Sequence, residues 1–435
     1  MKYRAYTKYK DSGVEWLGDV PEHWNLKAIK WTTPVFRGAS PRPIDDPVYF
    51  DDEGEYAWVR IADVTAAGVY LEETTQRLSD VGSSLSVKMQ PGSLFISVAG
   101  TVGLPCITKI KCCIHDGFVY FPRLKSHTKF MYYIFACGEP YKGLGKMGTQ
   151  LNLNTDTIGS IIIGFPPLPE QQVIANFLDR ETGRIDTLIA SKMRLLELLA
   201  EQRTALISRA VTKGLDTTIK MKPSGVERLG DVPEHWNVKR LKNAFSIYSG
   251  STPESSKEEY WDGDINWITP EDLGNNSSKV INDSRRKITK EGYSSIGATI
   301  VPPNSIIIST RAPIGHLSIN SIPSCTNQGC RSLVPLREYS SDYYYYYLLI
   351  SKGYLNATGK GTTFLELSTQ GLGSFCIIAP PFFEQQAIAA FLDRETEKND
   401  LLSVKITAVI ERLKEYRTAL ISSVVTGKID VRGEK

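Results

Sequence analysis

The sequence predicts an α+β protein: two similar mixed α/β domains joined by two long coiled-coil helices, related by pseudo-twofold symmetry. Three observations carry this. The chain is written twice, since residues 12–25 (SGVEWLGDVPEHWN) return at 224–237 with one change, Trp16 against Arg228, and residues 166–182 return at 380–396 at 13 of 17 places. After the second of these texts, in both copies, apolar residues recur at seven-residue spacing. Between the repeated texts lie short β-type runs bounded by Gly, Pro and Asn. The expected divisions are 1–165, a first domain with its opening segment; 166–213, a central helix; 214–379, a second domain with its opening; and 380–435, a C-terminal helix.

In each copy a basic stretch follows PEHWN (Lys27, Lys30; Lys239, Arg240, Lys242), then a glycine turn, residues 37–41 and 249–253. Strand-like runs at 56–61 and 265–269 each hold a Trp (Trp58, Trp267) followed by an Asp (Asp63, Asp272). Residues 91–97 align with 303–309 as a further strand, and Gly103 falls on Gly315. An aromatic helix is expected at 130–136 and 343–350, before the loops at 145–154 and 359–368. Each middle, about 140 residues, is domain-sized.

The helices are read from Ile174, Leu178, Ile185, Leu188, Leu195, Leu199 and Leu206 at a and d positions, and in the second copy from Ile388, Leu392, Leu402, Ile406, Val409, Leu413, Tyr416 and Leu420. Proline starts each helix and Gly214 or Gly427 stops it. At 1.5 Å per residue, the helix from Glu170 to Val211 is a strut of roughly 60 Å holding the middles apart.

A length of 435 residues suits two to four domains, and 41% hydrophobic with 23% charged residues is ordinary globular composition. Net charge is only +3, so a nucleic-acid surface requires local clustering. Seven cysteines without framework spacing, and no signal peptide, point to a reducing cytoplasm. The longest apolar runs, near Ile161 and Tyr343, are broken by proline or polar residues before they reach membrane-spanning length.

The SGVExLGDVPEHW opening, the GTQLNLNTDTIGSIIIGFPPLPEQQ passage from Gly148, and the FLDRET…RTALIS text at 177–208 and 391–422, in duplicated order, resemble the specificity subunit of a type I restriction-modification system over essentially the whole chain. The resemblance implies two target-recognition domains separated by antiparallel helices and reading a bipartite, asymmetric DNA target with a nonspecific spacer. It also implies a chain without catalysis or cofactor of its own. Two methyltransferase (modification) subunits supply S-adenosylmethionine chemistry, and two motor/endonuclease (restriction) subunits supply ATP- and Mg2+-dependent translocation and cleavage. Near-identical ends would hold two copies of one partner alike, and diverged middles would read different half-sites; one helical turn between half-sites is ~34 Å. The alternative is a DNA-modifying enzyme or the recognition half of a fused one; a pure scaffold that binds no DNA is a third reading.

Base and phosphate chemistry narrows the DNA-binding candidates: Arg or Lys for guanine, Asn or Gln for adenine, and Lys, Ser or Thr near glycine for phosphate. In the first domain these are Arg37, Ser40 and Arg42 on the glycine turn, Arg60, and Lys146, Thr149 and Gln150 on the later loop. In the second they are Ser251 and Thr252, the run Arg285, Arg286 and Lys287, then Arg311, and Lys360, Thr362 and Thr363. Three adjacent cations at 285–287 call for a nearby anion.

Other motifs fall away. Residues 143–148 fit GxGxxG but lack a βαβ context, and 358–362 resemble a P-loop with a glycine between Lys and Thr. Residues 379–382 (APPF) resemble an amino-methyltransferase motif with alanine where the chemistry needs Asn or Asp; the plain reading is a Pro-Pro that stops a strand and starts a helix. Cys106, Cys112, Cys113 and His115 lack a CxxC pair and read as core or surface side chains. Tyr343 to Tyr347 read as alternately buried in a core helix, and His23 and His235 as packing or docking residues.

Overall fold

The β-type runs of each middle segment pair into two small sheets, and they do so alike in both copies. The computed structural model describes residues 3–142, 144, 153–359 and 366–433, in two units, residues 1–193 with 407–435 and residues 194–406. In the first unit a five-stranded sheet has the order Phe36–Arg37, Phe118–Tyr120, Leu94–Ser97, Pro105–Thr108, Tyr70–Leu71. The second unit repeats it as Phe245–Ser249, Cys330–Pro335, Ile306–Ser309, Leu317–Asn320, Val280–Ile281. A smaller sheet joins Gln76–Leu78, Tyr56–Val59, Cys112–Ile114 and Val87–Met89, and its counterpart joins Lys287–Ile288, Trp261–Ile268 and Ser324–Thr326.

Strand alternation divides each unit's interior. Leu94, Ile96 and Val119 pack with the aromatic helix Thr128–Ala136, while Phe95 and Phe118, one residue out of phase, join Ala57 and Val59 in a second core. Ile306 and Ile308 face the helix Ser341–Ile350, and Ile307 lies in a separate core with Ile268. All five residues from Tyr343 to Tyr347 are buried rather than alternate ones. Sheet and long helix cover this helix from different sides, so its hydroxyls need internal acceptors: Tyr343 donates to the Val211 carbonyl at 2.8 Å and Tyr346 to Asp393 at 2.7 Å.

The long helices are Leu168–Lys213 and Phe382–Val425. The Pro-Pro before each follows the strand Ile162–Phe165 or Cys376–Ala379, which pairs with the strand just after PEHW. Each unit contains a stretch of both helices, packed antiparallel. In the second unit Leu199 and Arg203 meet Asn399 and Asp400, while Ile207 and Val211 share a core with Ile388 and Leu392. In the first, Arg417 pairs with Asp186 at 2.8 Å and Leu420 shares a core with Ile174 and Leu178.

Of the expected a and d residues, Ile174, Leu178, Ile185, Leu199, Ile388, Leu392, Ile406 and Leu420 are buried, while others lie one residue out of phase. Leu188, Leu195, Leu402, Val409 and Tyr416 are exposed; the inward positions are Ile189, Leu196, Ser403, Ile410 and Arg417. The cause is that Arg203 and Arg417 occupy the seam, held by carboxylates of the facing helix, and a search for apolar residues passes over them.

The repeated text is the means by which domain and helices are clipped together. Glu170, buried, accepts from Trp24 Nε1 at 3.0 Å, from the Tyr6 hydroxyl at 2.8 Å, and lies 2.8 Å from the His23 ring. Glu384 takes Trp236 and His235 at 2.9 and 2.7 Å. Asp179 and Thr182 hold Tyr133 as Asp393 and Thr396 hold Tyr346. Gly214 ends the first helix against Trp236 and Gly427 follows the second against Pro21 and Trp24; both have positive φ, and a Cβ on Gly427 would fall 2.3 Å from Pro21. The first opening thus receives the end of the second helix, and the second opening the end of the first.

Candidate nucleic-acid interface

The glycine turn of each unit lies against a second turn, at His115–Gly117 or Asn327–Gly329. Contact is so close that a Cβ on Gly38 would sit 2.1 Å from the His115 carbonyl oxygen and one on Gly250 1.9 Å from that of Asn327. In the first unit the turn's polar groups converge on Asp116. Ser40 Oγ donates to Oδ1 at 3.1 Å, Arg42 to Oδ2 at 2.9 Å, and Arg37 Nε to the Asp116 carbonyl. Burial pushes the Asp116 carboxyl up, but Ser40, Arg42 and Arg37 more than offset it and hold it below the usual range. Arg37 and Arg42 remain exposed, and the His115 ring lies 5.9 Å from that of the buried Trp58.

Arg60 precedes the helix Ile61–Ala67, its backbone N–H donating to Asp63 at 2.8 Å. It lines a cleft of about 700 Å³ with Ile44, Asp45, Phe50, Trp58 and Gln76. Arg37, Ser40 and Arg42 are thus gathered by Asp116, while Arg60 shares a cleft with Trp58.

In the second unit Ser251 donates its N–H to the Thr326 carbonyl at 2.9 Å, and its own carbonyl accepts from Trp267 Nε1 at 2.9 Å. The Thr252 hydroxyl donates to Gln328, which stands where Asp116 stands in the first unit. Trp267 packs edge-on to Trp261 at 5.1 Å, and the Arg286 guanidinium lies 3.6 Å over Trp261. Arg311 pairs with Glu366 at 3.2 Å, beside Arg331, a buried cation that donates to the Gln328 carbonyl and to Thr369. Ser251, Thr252, Arg286 and Arg311 are linked in this way.

The run at 285–287 does not wait for an external anion as a block. Arg285 pairs with Glu271 at 2.7 Å and Lys287 with Asp283 at 3.0 Å, so the chain itself supplies the counter-charges that like-charge repulsion demands. Lys146, Thr149, Gln150, Lys360, Thr362 and Thr363 lie outside the described residues, as does most of the GxGxxG segment and the end of the P-loop-like one. Sequence reasoning missed Gln76, Asp116, Gln328 and Arg331. A signal for two of them exists, since Asp116-Gly117 and Gln328-Gly329 hold the same place in the two copies.

Cys106, Cys112 and Cys113 are core side chains whose thiols burial pushes up to about 12, 11 and 12. Among the described residues no His, Cys, Asp and Glu side chains form a metal-holding group, and no helix is long and apolar enough to cross a membrane.

The family model for the type I restriction modification DNA specificity domain matches residues 36–196 and 233–412. A type I restriction enzyme specificity subunit of Methanocaldococcus jannaschii, MjaIX, is 38% identical over 166 residues, 38% of each chain. A second from that organism, MjaX, is 26% identical over 441 residues, 96% of each chain. The chain thus spans 38% of the first relative's length and 96% of the second's. Among solved structures, a chain from a study of complex assembly and conformational transition of the type I R-M system superposes with a TM-score of 0.74 at 16% identity, covering 96% of this chain and 99% of that one. The HsdS subunit from Thermoanaerobacter tengcongensis gives 0.57 at 16% identity, covering 94% and 98%. These two likenesses are of fold; the family model carries the kinship. With the family's domain matched once in each half, the chain belongs to the type I restriction modification DNA specificity family.

Proposed function

We propose that this chain reads a bipartite, asymmetric DNA target with a nonspecific spacer, one half-site per unit, for a complex in which other subunits do the chemistry. The observation that carries the reading is one scaffold built twice with its exposed polar groups exchanged: Arg37 against Ser249, Arg42 against Glu254, Asp116 against Gln328, around a retained glycine and tryptophan. Framework positions kept and surface positions changed is the pattern expected where phosphate contacts position a domain and differing side chains read differing bases.

Partner binding is drawn from the helices and openings. Leu188, Met193, Val409 and Tyr416 in the first unit, and Leu195, Leu198, Leu401, Leu402 and Val404 in the second, are exposed apolar side chains. The identical carboxylates Glu15 and Asp19, Glu227 and Asp231 are also exposed. These surfaces suit two copies of a methyltransferase subunit, with two motor/endonuclease subunits joining them; S-adenosylmethionine, ATP and Mg2+ belong to those partners. Seven unbridged cysteines fit a cytoplasmic complex.

The test is an exchange of residues 238–379 for the block of a relative, with methylated sites then sequenced in host DNA. One half of the target should change; a change in both halves refutes modular reading. Purified chain should bind duplex with a log-log salt dependence and transfer no labelled methyl group by itself.

A further inference from the structure

Trp58 stands opposite Gln76 on the antiparallel side of its strand and beside Cys113 on the parallel side. Trp267 stands beside Cys325 in the same way, and Lys287 pairs with Asn266, which sets Arg286 one step on, opposite Trp267. Gln76 and Arg286 therefore hold one structural position, each on the rim of a small aromatic core. The residues around them are engaged: Arg77 donates to the carbonyls of Gly54 and Glu55, Lys287 pairs with Asp283, and Arg285 with Glu271. In contrast, the Gln76 amide and the Arg286 guanidinium have no hydrogen-bond or ion-pair partner among the described residues. Arg286 is nonetheless held in place, stacked 3.6 Å over Trp261.

A fixed side chain with free donors is suited to a partner of defined geometry. Resting on the proposal that each unit faces one half-site, we infer that Gln76 and Arg286 are the matched specificity-determining residues of the two units, Gln76 reading an adenine and Arg286 a guanine in the major groove. A guanidinium fork matches the O6 and N7 acceptors of guanine, and a carboxamide matches the N6 donor and N7 acceptor of adenine. A phosphate contact would need neither the stacking nor a different residue type in the other unit.

The experiment uses the full chain assembled with its methyltransferase subunits, comparing methylated motifs of wild type, R286Q and Q76R. R286Q should alter the preference at one G·C pair in one half, and Q76R that at one A·T pair in the other, with the remaining positions unchanged. A second measurement does not depend on the variants folding well: 7-deazaguanine at that G, or 7-deazaadenine at that A, should weaken wild-type binding about tenfold. R286A should lose nothing further from the deazaguanine. Unchanged motifs, a uniform loss across all sites with a shallower salt slope, or wild-type indifference to both analogues overturns the inference. A wild-type motif that is not split sinks the bipartite reading itself; a split motif with unaltered variants sinks only the assignment of these two residues.

Discussion

At position 115 the first unit has histidine where the second has Asn327, and both do one job. His115 Nδ1 accepts from the Gly117 N–H at 2.8 Å, as Asn327 Oδ1 accepts from the Gly329 N–H at 3.0 Å. Burial lowers the His115 pKa below its ordinary 6.5; Asp116 opposes the shift and Arg37 adds to it. A base whose folded pKa is depressed contributes stability above its unfolded pKa, and loses it as pH falls through the folded value. His115→Asn keeps the hydrogen bond without the titration, so thermal melts between about pH 7 and 5 should show a smaller acid loss than wild type. An identical acid profile would count against this downward shift at His115. Glu170→Ala removes the acceptor of two buried donors, Tyr6 and Trp24, and should cost about 2–5 kcal/mol in denaturant melts. At this scale the sequence showed residue types but not their partners. Arg37, Ser40 and Arg42 were legible as polar groups on a glycine turn; Asp116, more than 70 positions along, was not.

At the scale of elements the heptads give a paired test. Leu199 is buried in the helix seam and Leu195 is exposed on its flank. Leu199→Asp should destabilise the chain by about 3 kcal/mol or more, because it buries a carboxylate in an apolar seam. Leu195→Asp should leave the melting temperature nearly unchanged and weaken assembly with the proposed methyltransferase partner, as size-exclusion of the mixed subunits would show. Equal effects of the two variants on folding would refute the observed phase. Helix extent and type were readable, because seven-residue spacing and Pro–Gly punctuation are local signals. Phase was readable only in part, because Arg203 and Arg417 enter the seam only through Asp400 and Asp186 of the facing helix.

For the whole molecule, exchange of the 238–379 block should redirect one half of the methylated motif, with each wrong base in the unexchanged half still costing about 1–3 kcal/mol. Duplication is what makes this prediction possible, and it was plain in the amino-acid order: two copies, mixed sheets, two long helices and the family resemblance all follow from repeated text and periodicity. The structure added what depends on proximity. It showed that the repeated Glu170 and Asp179, like Glu384 and Asp393, clip each domain to its helix, and that Arg417 and Arg203 join one helix to the other. It showed that Arg285 and Lys287 are neutralised within the chain while Arg286 is stacked, and that Gln76 shares the place of Arg286. Periodicity and turn chemistry act between near neighbours, so the chain's own order determined its elements and their repetition. Ion pairs, hydrogen bonds and strand register join residues far apart in sequence, so only the folded structure decided which side chains are spent on the scaffold and which are left without a partner among the described residues.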